Sequence, residues 1–277
     1  MKTLGFLGID IGTQGLSVIF TNTELKILVS GEGGYEMIPG LDPECYEQQP
    51  SDWESALKNA MADLRKKMSS MEIDMEVLAI GISGQMHGEV LANENGELVG
   101  PARLWCDSRN EIEGEELTKR LGTKCPKRMT SVRWLWTIRN QPEKAKHVRH
   151  ITTPAGWIAY RLTGSWSLGI GDAAGMFPID QKTLNYNATM LDEFDFMAND
   201  SAKDDSLKNT LSKLGELLPS VKKAGEDGGV LDSHGAGFLG LPEGIPVAPA
   251  EGDQPAALAG SLIASPGQVS MSFGTSV

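Results

Sequence analysis

Asp10 is the first residue whose surroundings suit chemistry on a phosphate. It opens segment 10–15 (Asp-Ile-Gly-Thr-Gln-Gly), which separates two apolar runs and is therefore predicted to be the tip of a hairpin. Glycines there let backbone amides approach phosphate oxygens, and an aspartate at a strand end can hold a metal ion. An ordinary glycine turn, with the aspartate bonded to its own backbone, explains the spacing equally well.

Asp253 is the second such carboxylate. It follows segment 249–252 (Pro-Ala-Glu-Gly) at the predicted end of a strand and precedes a predicted helix. In open α/β sheets the carboxyl ends of the strands face the ligand crevice, so this aspartate could accept the proton of a substrate hydroxyl during phosphoryl transfer. On spacing alone, a helix N-cap aspartate is the simpler alternative.

Two further segments carry side chains that suit a polyhydroxy ligand. Segment 84–88 (Gly-Gln-Met-His-Gly) lies between apolar strands and offers a histidine, an amide and glycine access. Segment 105–109 (Trp-Cys-Asp-Ser-Arg) offers an aromatic face and a carboxylate. The alternatives are a strand crossover with a solvated His87 and a helix start capped by Asp107.

The composition limits the classes of partner. The chain has 277 residues, with 25 Lys and Arg against 37 Asp and Glu, and a net charge of −12. This balance argues against a nucleic-acid partner, but not against a nucleotide, whose phosphates can be neutralised by amides and a divalent metal. The three cysteines lack zinc or disulfide spacing, and no apolar run approaches the roughly 18 residues that span a membrane. We therefore expect a cytoplasmic protein with reduced thiols and no membrane partner.

Apolar patterns predict the elements that position these residues. Strands are predicted at 4–11, 16–22 and 25–30 as an antiparallel set, at 77–82 as a buried strand, and at 245–248 and 268–273. Helices are predicted at 131–140, 154–162 and 255–263, and along the apolar stripe from Trp53 to Met68. Ser51 and Glu54 predict a capping box for the helix that carries this stripe.

Segment 235–240 (Gly-Ala-Gly-Phe-Leu-Gly) matches the dinucleotide fingerprint GxGxxG. Because Pro242 follows at once, we expect no helix to open there and reject a dinucleotide site. The sequence also has no Walker A motif, so an ATP site must be of another type.

Taken together and in order, these segments resemble the FGGY family of carbohydrate kinases over the whole chain. The resemblance rests on motifs at 8–13 (Gly-Ile-Asp-Ile-Gly-Thr), 47–50 (Glu-Gln-Gln-Pro) with Trp53, 84–88, 104–109, 161–164 (Arg-Leu-Thr-Gly), 172–175 (Asp-Ala-Ala-Gly), 252–253 and 273–276 (Phe-Gly-Thr-Ser). Within the family, Gln-Met-His-Gly is similar to the xylulokinase group. The resemblance implies an α/β fold of the actin-like ATPase (ribonuclease H-like) type, with a mixed five-stranded sheet flanked by helices.

The resemblance also implies roles for individual residues. Asp253 is expected to be the general base, Asp10 to hold Mg²⁺, and the cofactor to be MgATP. Sugar contacts are expected from Gln85, Met86, His87, Trp105, Asp107 and Gln254. Phosphate contacts are expected from Gly12, Thr13, Gln14 and, in a second loop, Gly274, Thr275 and Ser276.

The implied function is ATP-dependent phosphorylation of a ketose, xylulose first. Another sugar or polyol (ribulose, sedoheptulose or glycerol) and a non-catalytic sugar-sensing module are the alternatives, and a homodimer stays open. Residues 1–254 are expected to form the sugar-binding N-terminal domain, and 255–277 an interdomain helix and the first strand of a truncated nucleotide-binding domain. Alone, this fragment is expected to be inactive. Two positions depart from the family: Gln254 replaces the usual asparagine, which puts the sugar in doubt, and Arg133 replaces a common lysine, which we expect to leave the chemistry unaffected.

Overall fold

A computed structural model of the chain describes residues 2–202, 205–263 and 265–269. The strands are β1 (Lys2–Ile11), β2 (Gly15–Asn22), β3 (Ile27–Gly34), β4 (Glu47–Gln48), β5 (Asp74–Gly84), β6 (Val90–Ala92), β7 (Ala102–Arg103), β8 (His150–Thr152), β9 (Ser167–Gly169), β10 (Ile179–Asp180), β11 (Asn185–Tyr186), β12 (Ser220–Lys222) and β13 (Glu251–Gly252). The helices are α1 (Pro50–Ser70), α2 (Glu111–Leu121), α3 (Thr130–Asn140), α4 (Pro142–His147), α5 (Pro154–Thr163), α6 (Ile170–Met176), α7 (Ala188–Ser201), α8 (Asp205–Thr210), α9 (Leu214–Leu217), α10 (Ser233–Leu239) and α11 (Asp253–Gly260).

The central sheet combines antiparallel and parallel pairing. Among the described residues it has five strands in the order β13-β5-β1-β2-β3. β1, β2 and β3 form the predicted antiparallel meander, whereas β5 pairs in parallel with both β1 and β13. The predicted hairpin and the mixed five-stranded sheet are confirmed.

The helices α1 and α5 cover one face of this sheet. α1 lies across β2 and β3, and α5 packs on β1, β5 and α1. The predicted stripe of α1 is buried against the sheet, together with the inward side chains of β1. These two helices thus fix the sheet's orientation relative to the loops that follow β1 and β5.

The start of α1 differs from the prediction. The helix begins at Pro50, its N-cap is Gln49, and no side chain caps it. Proline is favoured in this first position because its φ is already helical and it has no N–H to satisfy. Ser51 therefore lies inside the helix, and the capping box is wrong. Glu54 instead accepts hydrogen bonds from Trp157 and Arg161 on α5.

The expectation that no helix opens at segment 235–240 is also wrong. α10 (Ser233–Leu239) runs through it, and the side chain of its N-cap, Asp232, accepts a hydrogen bond from the Gly235 amide at 2.7 Å. A methyl group on Gly235 would lie 2.3 Å from the Leu162 carbonyl oxygen. The glycine of this fingerprint therefore serves helix packing against α5.

The predicted elements near the end of the chain are only partly present. Segment 245–248 makes single bridges to Ile80 and Val230 instead of an extended strand. α11 spans Asp253–Gly260, so the predicted boundary between residues 254 and 255 falls inside it. Most of the predicted strand at 268–273 lies outside the described residues, as do Gly274, Thr275 and Ser276, so these stay predictions. Among the described residues, no helix is long and apolar enough to span a membrane.

We expect Gly33→Ala to lower the free energy of unfolding by about 3 kcal/mol. Overpacking of a close contact typically costs about 1–3 kcal/mol, and this contact is at the severe end. A methyl group at Gly33 would lie 2.2 Å from the Ala56 carbonyl oxygen, so β3 and α1 would have to separate. Urea unfolding would measure the change. Gly34→Ala is the matched control, because its methyl group would meet no atom within 4 Å. Equal effects of the two substitutions would contradict this account of the packing.

Candidate active site

The two predicted carboxylates lie together at one edge of the sheet. In the parallel register Asp10 is opposite Ser83 and Ser83 is opposite Glu251, so β1, β5 and β13 end side by side. Ser83 donates a hydrogen bond of 2.6 Å to Asp10. Burial raises the pKa of Asp253, and the charge of Asp10 raises it further, which is the behaviour of two facing carboxylates. The sheet therefore joins residues that are more than 240 positions apart.

The first hairpin forms a tight loop beside Asp10. The Gly12 amide donates to the Gly15 carbonyl at 2.9 Å, and the Tyr35 hydroxyl lies 2.5 Å from the Gly12 oxygen. Burial raises the pKa of Tyr35, and the charge of Asp10 adds to this, so the hydroxyl remains a donor. Gln14 is exposed at the tip. Hydrogen bonds within the hairpin and from Tyr35 thus hold the loop in place, and its tip is exposed to solvent.

A buried network of amides joins this hairpin to segment 84–88. The Gln85 side chain is fully buried and donates to Gln48 at 3.1 Å, while Thr13 donates to Gln85 at 3.3 Å. The indole N–H of Trp105 donates to the Thr13 hydroxyl at 3.0 Å. Gln48 in turn donates to the Thr13 carbonyl at 2.7 Å. The predicted phosphate and sugar segments therefore share one hydrogen-bond network, in which Gln85 serves the protein framework.

His87 has an unusual backbone and a neutral ring. Its φ of +64° is uncommon for a residue other than glycine, and its Nδ1 lies 3.1 Å from the Gly175 carbonyl. A carbonyl can only accept, so Nδ1 carries the proton and Nε2 is left as an acceptor. Burial lowers the pKa of His87 to about 4, so the ring is uncharged at neutral pH. Such a group can accept a hydrogen bond from a sugar hydroxyl.

Met86 brings segment 84–88 into contact with the strand that leads to Asp253. A methyl group on Gly252 would lie 2.4 Å from the Met86 Cγ, so glycine is required for this approach. Asp253 follows immediately, and its carboxylate accepts the Gln254 amide at 2.7 Å. Gln254 itself is exposed. Asp253 is not the N-cap of α11, which is Gly252, so the helix-cap alternative is not supported.

The helix α6 links the two halves of the site. Glu251 accepts hydrogen bonds from the amides of Gly171 and Asp172 at its start, and Gly175 near its end contacts His87. Asp172 is fully buried and accepts from Thr153 at 2.6 Å, while its Oδ1 has no partner among the described residues. Burial raises the pKa of Asp172 to about 8, and the charges of Glu251 and Asp253 add to this.

Asp107 has a different environment from the one predicted. Its carboxylate is fully buried and accepts hydrogen bonds from Arg109 at 2.6 Å and from the Tyr46 amide at 2.9 Å. Arg109 also pairs with Glu47 at 2.7 Å. The alternative of a helix cap is wrong, because α2 begins at Glu111 with Asn110 as its N-cap. The Arg109 Nε also donates to Oδ1 at 3.0 Å, so both carboxylate oxygens have partners within the protein. A direct contact of Asp107 with sugar stays a prediction.

Sequence reasoning missed several residues that build the site. Asp172, Glu251 and Gln48 stand in recognisable motifs, but their side chains received no role. The fourth is Arg133, which was expected to have no bearing on the chemistry, yet its guanidinium contacts both segments assigned to the sugar. The signal that could have pointed to Arg133 is a charged residue within the apolar helix 131–140.

Asp10 is the described residue that best fits Mg²⁺. It faces a cleft of about 290 Å³ lined also by Ser17, Ser83 and Glu251. Mg²⁺ usually takes one or two carboxylates and completes its shell with water and phosphate oxygens, so a single aspartate at a phosphate site suffices. Among the described residues, no group of three or more His, Cys, Asp or Glu side chains forms a protein-only metal cage.

Comparison with known proteins supports one family. The N-terminal domain of the "FGGY family of carbohydrate kinases" matches residues 6–260. The xylulose kinases of Haemophilus influenzae and Escherichia coli are each 28% identical to the chain, over 98% of its length and 55% and 53% of theirs. The chain thus spans about half the length of these curated relatives.

Solved structures agree on the fold. The xylulose kinase of Rhodospirillum rubrum superposes with a TM-score of 0.78 at 19% identity, over 95% of this chain and 51% of that one. A Plasmodium falciparum glycerol kinase with ADP gives 0.75 at 22%, with the same coverage. The predicted α/β fold of the actin-like ATPase type is confirmed.

The buried Asp172 should make stability depend on pH. Its pKa is 3.8 in the unfolded chain and about 8 in the folded one, so between these values the native state holds a proton that the unfolded state has lost. Its contribution to the free energy of unfolding is therefore full below pH 4 and falls as pH rises toward 8. Asparagine does not titrate, so Asp172→Asn should gain stability relative to the parent over this window.

Urea unfolding from pH 4.5 to 8.5 would measure the effect. The control is Asp180→Asn, because hydrogen bonds from the backbone of Thr183 and Lys182 lower the pKa of this exposed group, so its contribution is constant above pH 4. A difference between parent and Asp172→Asn that did not change with pH would contradict the assignment.

Proposed function

The chain belongs to the FGGY family of carbohydrate kinases, and from this membership we propose that the intact protein transfers the γ-phosphoryl group of ATP to a ketose, xylulose first. The observation that carries the proposal is the convergence of Asp10 and Asp253 beside the neutral segment with Met86 and His87. The curated relatives named above are xylulose kinases, which supports the choice of sugar.

Asp253 is the proposed general base. It is half-buried and follows β13 directly, and its raised pKa makes it a better proton acceptor than an exposed aspartate. The amide of Gln254 holds one oxygen, Oδ1, which leaves Oδ2 to take the proton of the attacking hydroxyl. Phosphoryl transfer depends mainly on alignment and charge neutralisation, so a single well-placed base is sufficient.

The proposed sugar site combines neutral groups with one aromatic face. The His87 Nε2 accepts a hydroxyl, Met86 packs against the carbon skeleton, and Trp105 supplies its indole face. Gln254 is exposed next to the base and can reach a second hydroxyl. Gln85 and Asp107, whose polar groups are bonded within the protein, are proposed to support this surface.

The proposed ATP site lies at the first hairpin. Asp10 would hold Mg²⁺, and the loop of Gly12, Thr13 and Gln14 would face the phosphates, with the amides of Thr13 and Gln14 as donors, since the Gly12 amide is bonded to Gly15. When bound, the metal supplies charge neutralisation to the transferring phosphoryl group. Gly274, Thr275 and Ser276 are proposed as a second phosphate loop.

We also propose the division into residues 1–254 as the sugar-binding domain and 255–277 as the passage to a nucleotide-binding domain. The length of the relatives, of which the chain spans about half, supports it.

The cysteines are unpaired in the described part of the chain, which fits the reducing cytoplasm.

The substrate proposal predicts a rank order of sugars. The full-length protein should release ADP with a higher kcat/KM for xylulose than for ribulose, sedoheptulose or glycerol. Coupled ADP-release assays at varied sugar concentration would measure it. ADP release that no sugar or polyol accelerates above the sugar-free rate would refute the proposed kinase activity.

Asp253→Asn should lower kcat for the ketose by about 10²-fold or more, because the amide cannot accept the hydroxyl proton. Sugar affinity, measured by calorimetry, should change much less. The control is Asp195→Asn, since Asp195 is also half-buried, also has a raised pKa and also accepts one backbone amide, but lies on α7. Near-parental turnover by Asp253→Asn would mean that another group is the base.

A further inference from the structure

Arg133 lies in α3 with no exposed surface, yet its hydrogen bonds go to three separate loops. Its Nη1 donates to the His87 carbonyl at 2.7 Å and also to the Arg128 carbonyl. Its Nη2 donates to the carbonyls of Trp105 at 2.9 Å and Asp107 at 3.3 Å. A single guanidinium therefore connects the backbone of both segments proposed to face the sugar.

These partners are unusual for a buried charge. A buried arginine is normally paired with a carboxylate, whereas each hydrogen-bond partner of the Arg133 guanidinium is a backbone carbonyl, and its Nε has no partner among the described residues. Burial lowers the pKa of Arg133 to about 10, and the charge of Arg103 contributes, so the group is still protonated at neutral pH. The carbonyl dipoles thus stabilise the charge of the guanidinium, and the guanidinium in turn fixes the positions of the carbonyls.

The geometry matters most at His87. Its left-handed backbone is a conformation that surrounding contacts must maintain, and the Arg133 bond fixes its carbonyl. The Gly175 carbonyl fixes its ring from the other side. Trp105 is held in the same way, through its carbonyl by Arg133 and through its indole N–H by Thr13.

We propose that Arg133 is a positioning residue that sets the distance between His87 and Trp105 and thereby the affinity for the sugar. This inference rests on the proposed function for its link to the sugar, but the positioning of the two loops can be measured without any ligand. The planar guanidinium can bridge acceptors on two sides, which an ammonium group, with its three donors on one atom, cannot do as well.

Two substitutions separate positioning from packing. Arg133→Met keeps the unbranched apolar stem of the side chain and removes every guanidinium donor, and Arg133→Lys keeps the stem and a charge. In the full-length protein we expect Arg133→Met to raise KM for the ketose at least 10-fold, with kcat and KM for ATP within about threefold of the parent. Arg133→Lys should recover part of this loss, since it restores some of the donors.

Arg139→Lys is the matched control, because Arg139 lies on the same helix but bonds Glu113, Glu116 and Ser201. It should leave KM unchanged. In a double-mutant cycle, the double variant with Arg133→Met and His87→Ala should raise KM by less than the product of the two separate increases. The observed increase should be at least about threefold smaller than that product.

Hydrogen exchange of the peptides that cover 84–88 and 104–108 gives a readout independent of the sugar. Exchange at both should rise in Arg133→Met and not in Arg139→Lys. If the parent turns over the ketose but Arg133→Met changes neither KM nor exchange, the inference is overturned. If no sugar is a substrate but exchange rises at both loops, the proposed function fails while the positioning of the loops stands.

Discussion

The parallel pairing of β5 with β1 and β13 is the constraint on which the rest of the structure depends. Parallel neighbours cannot be joined by a tight turn, so each pair requires a long crossover. β5 ends at Gly84 and β13 begins at Glu251, and the helices α2 to α10 all lie in that one connection. The segments with His87 and Trp105 belong to this connection, which starts at the end of β5 and returns to the neighbouring strand β13. Their position over the carboxylates follows from this topology.

Four carboxyl groups lie near this edge and would repel one another if all were charged, and each has a different environment. They belong to Asp10, Asp172, Glu251 and Asp253. Ser83 donates to Asp10, and two amides of α6 donate to Glu251. Asp172 is buried and keeps its proton to about pH 8. Asp253 is half-buried, and its Oδ1 accepts the Gln254 amide. Burial raises the pKa of both Glu251 and Asp253, but both oxygens of Glu251 accept amides of α6, whereas one oxygen of Asp253 is left to accept a proton.

Local patterns were enough to predict the elements but not the contacts between them. The hairpin at Gly12, the stripe of α1 and the buried strand β5 follow from periodicity and turn residues, and the ordered motifs indicated which strand ends carry Asp10 and Asp253. The capping box failed because Pro50 takes the first helical position. The role of Arg133 could not be read from sequence, because most of its partners are backbone carbonyls that are distant in the chain. The role of Asp107 could not be read because its pairing with Arg109 depends on burial beside Tyr46 and Glu47.

The arginines around the site determine what kind of ligand the sugar side can hold. Arg103 is bonded to Glu89, Arg109 to Asp107 and Glu47, and Arg133 to backbone carbonyls. Each of these three guanidinium groups is thus used within the protein, whereas the charge of the exposed Arg128 also acts on His87. A neutral sugar is not repelled by Asp10 and Asp253. A phosphorylated sugar would be repelled by these two carboxylates, and none of Arg103, Arg109 and Arg133 would compensate for this repulsion. In the proposed reaction, Asp253 would repel the anionic product once it has lost the proton taken from the sugar hydroxyl, and this would favour release of the product.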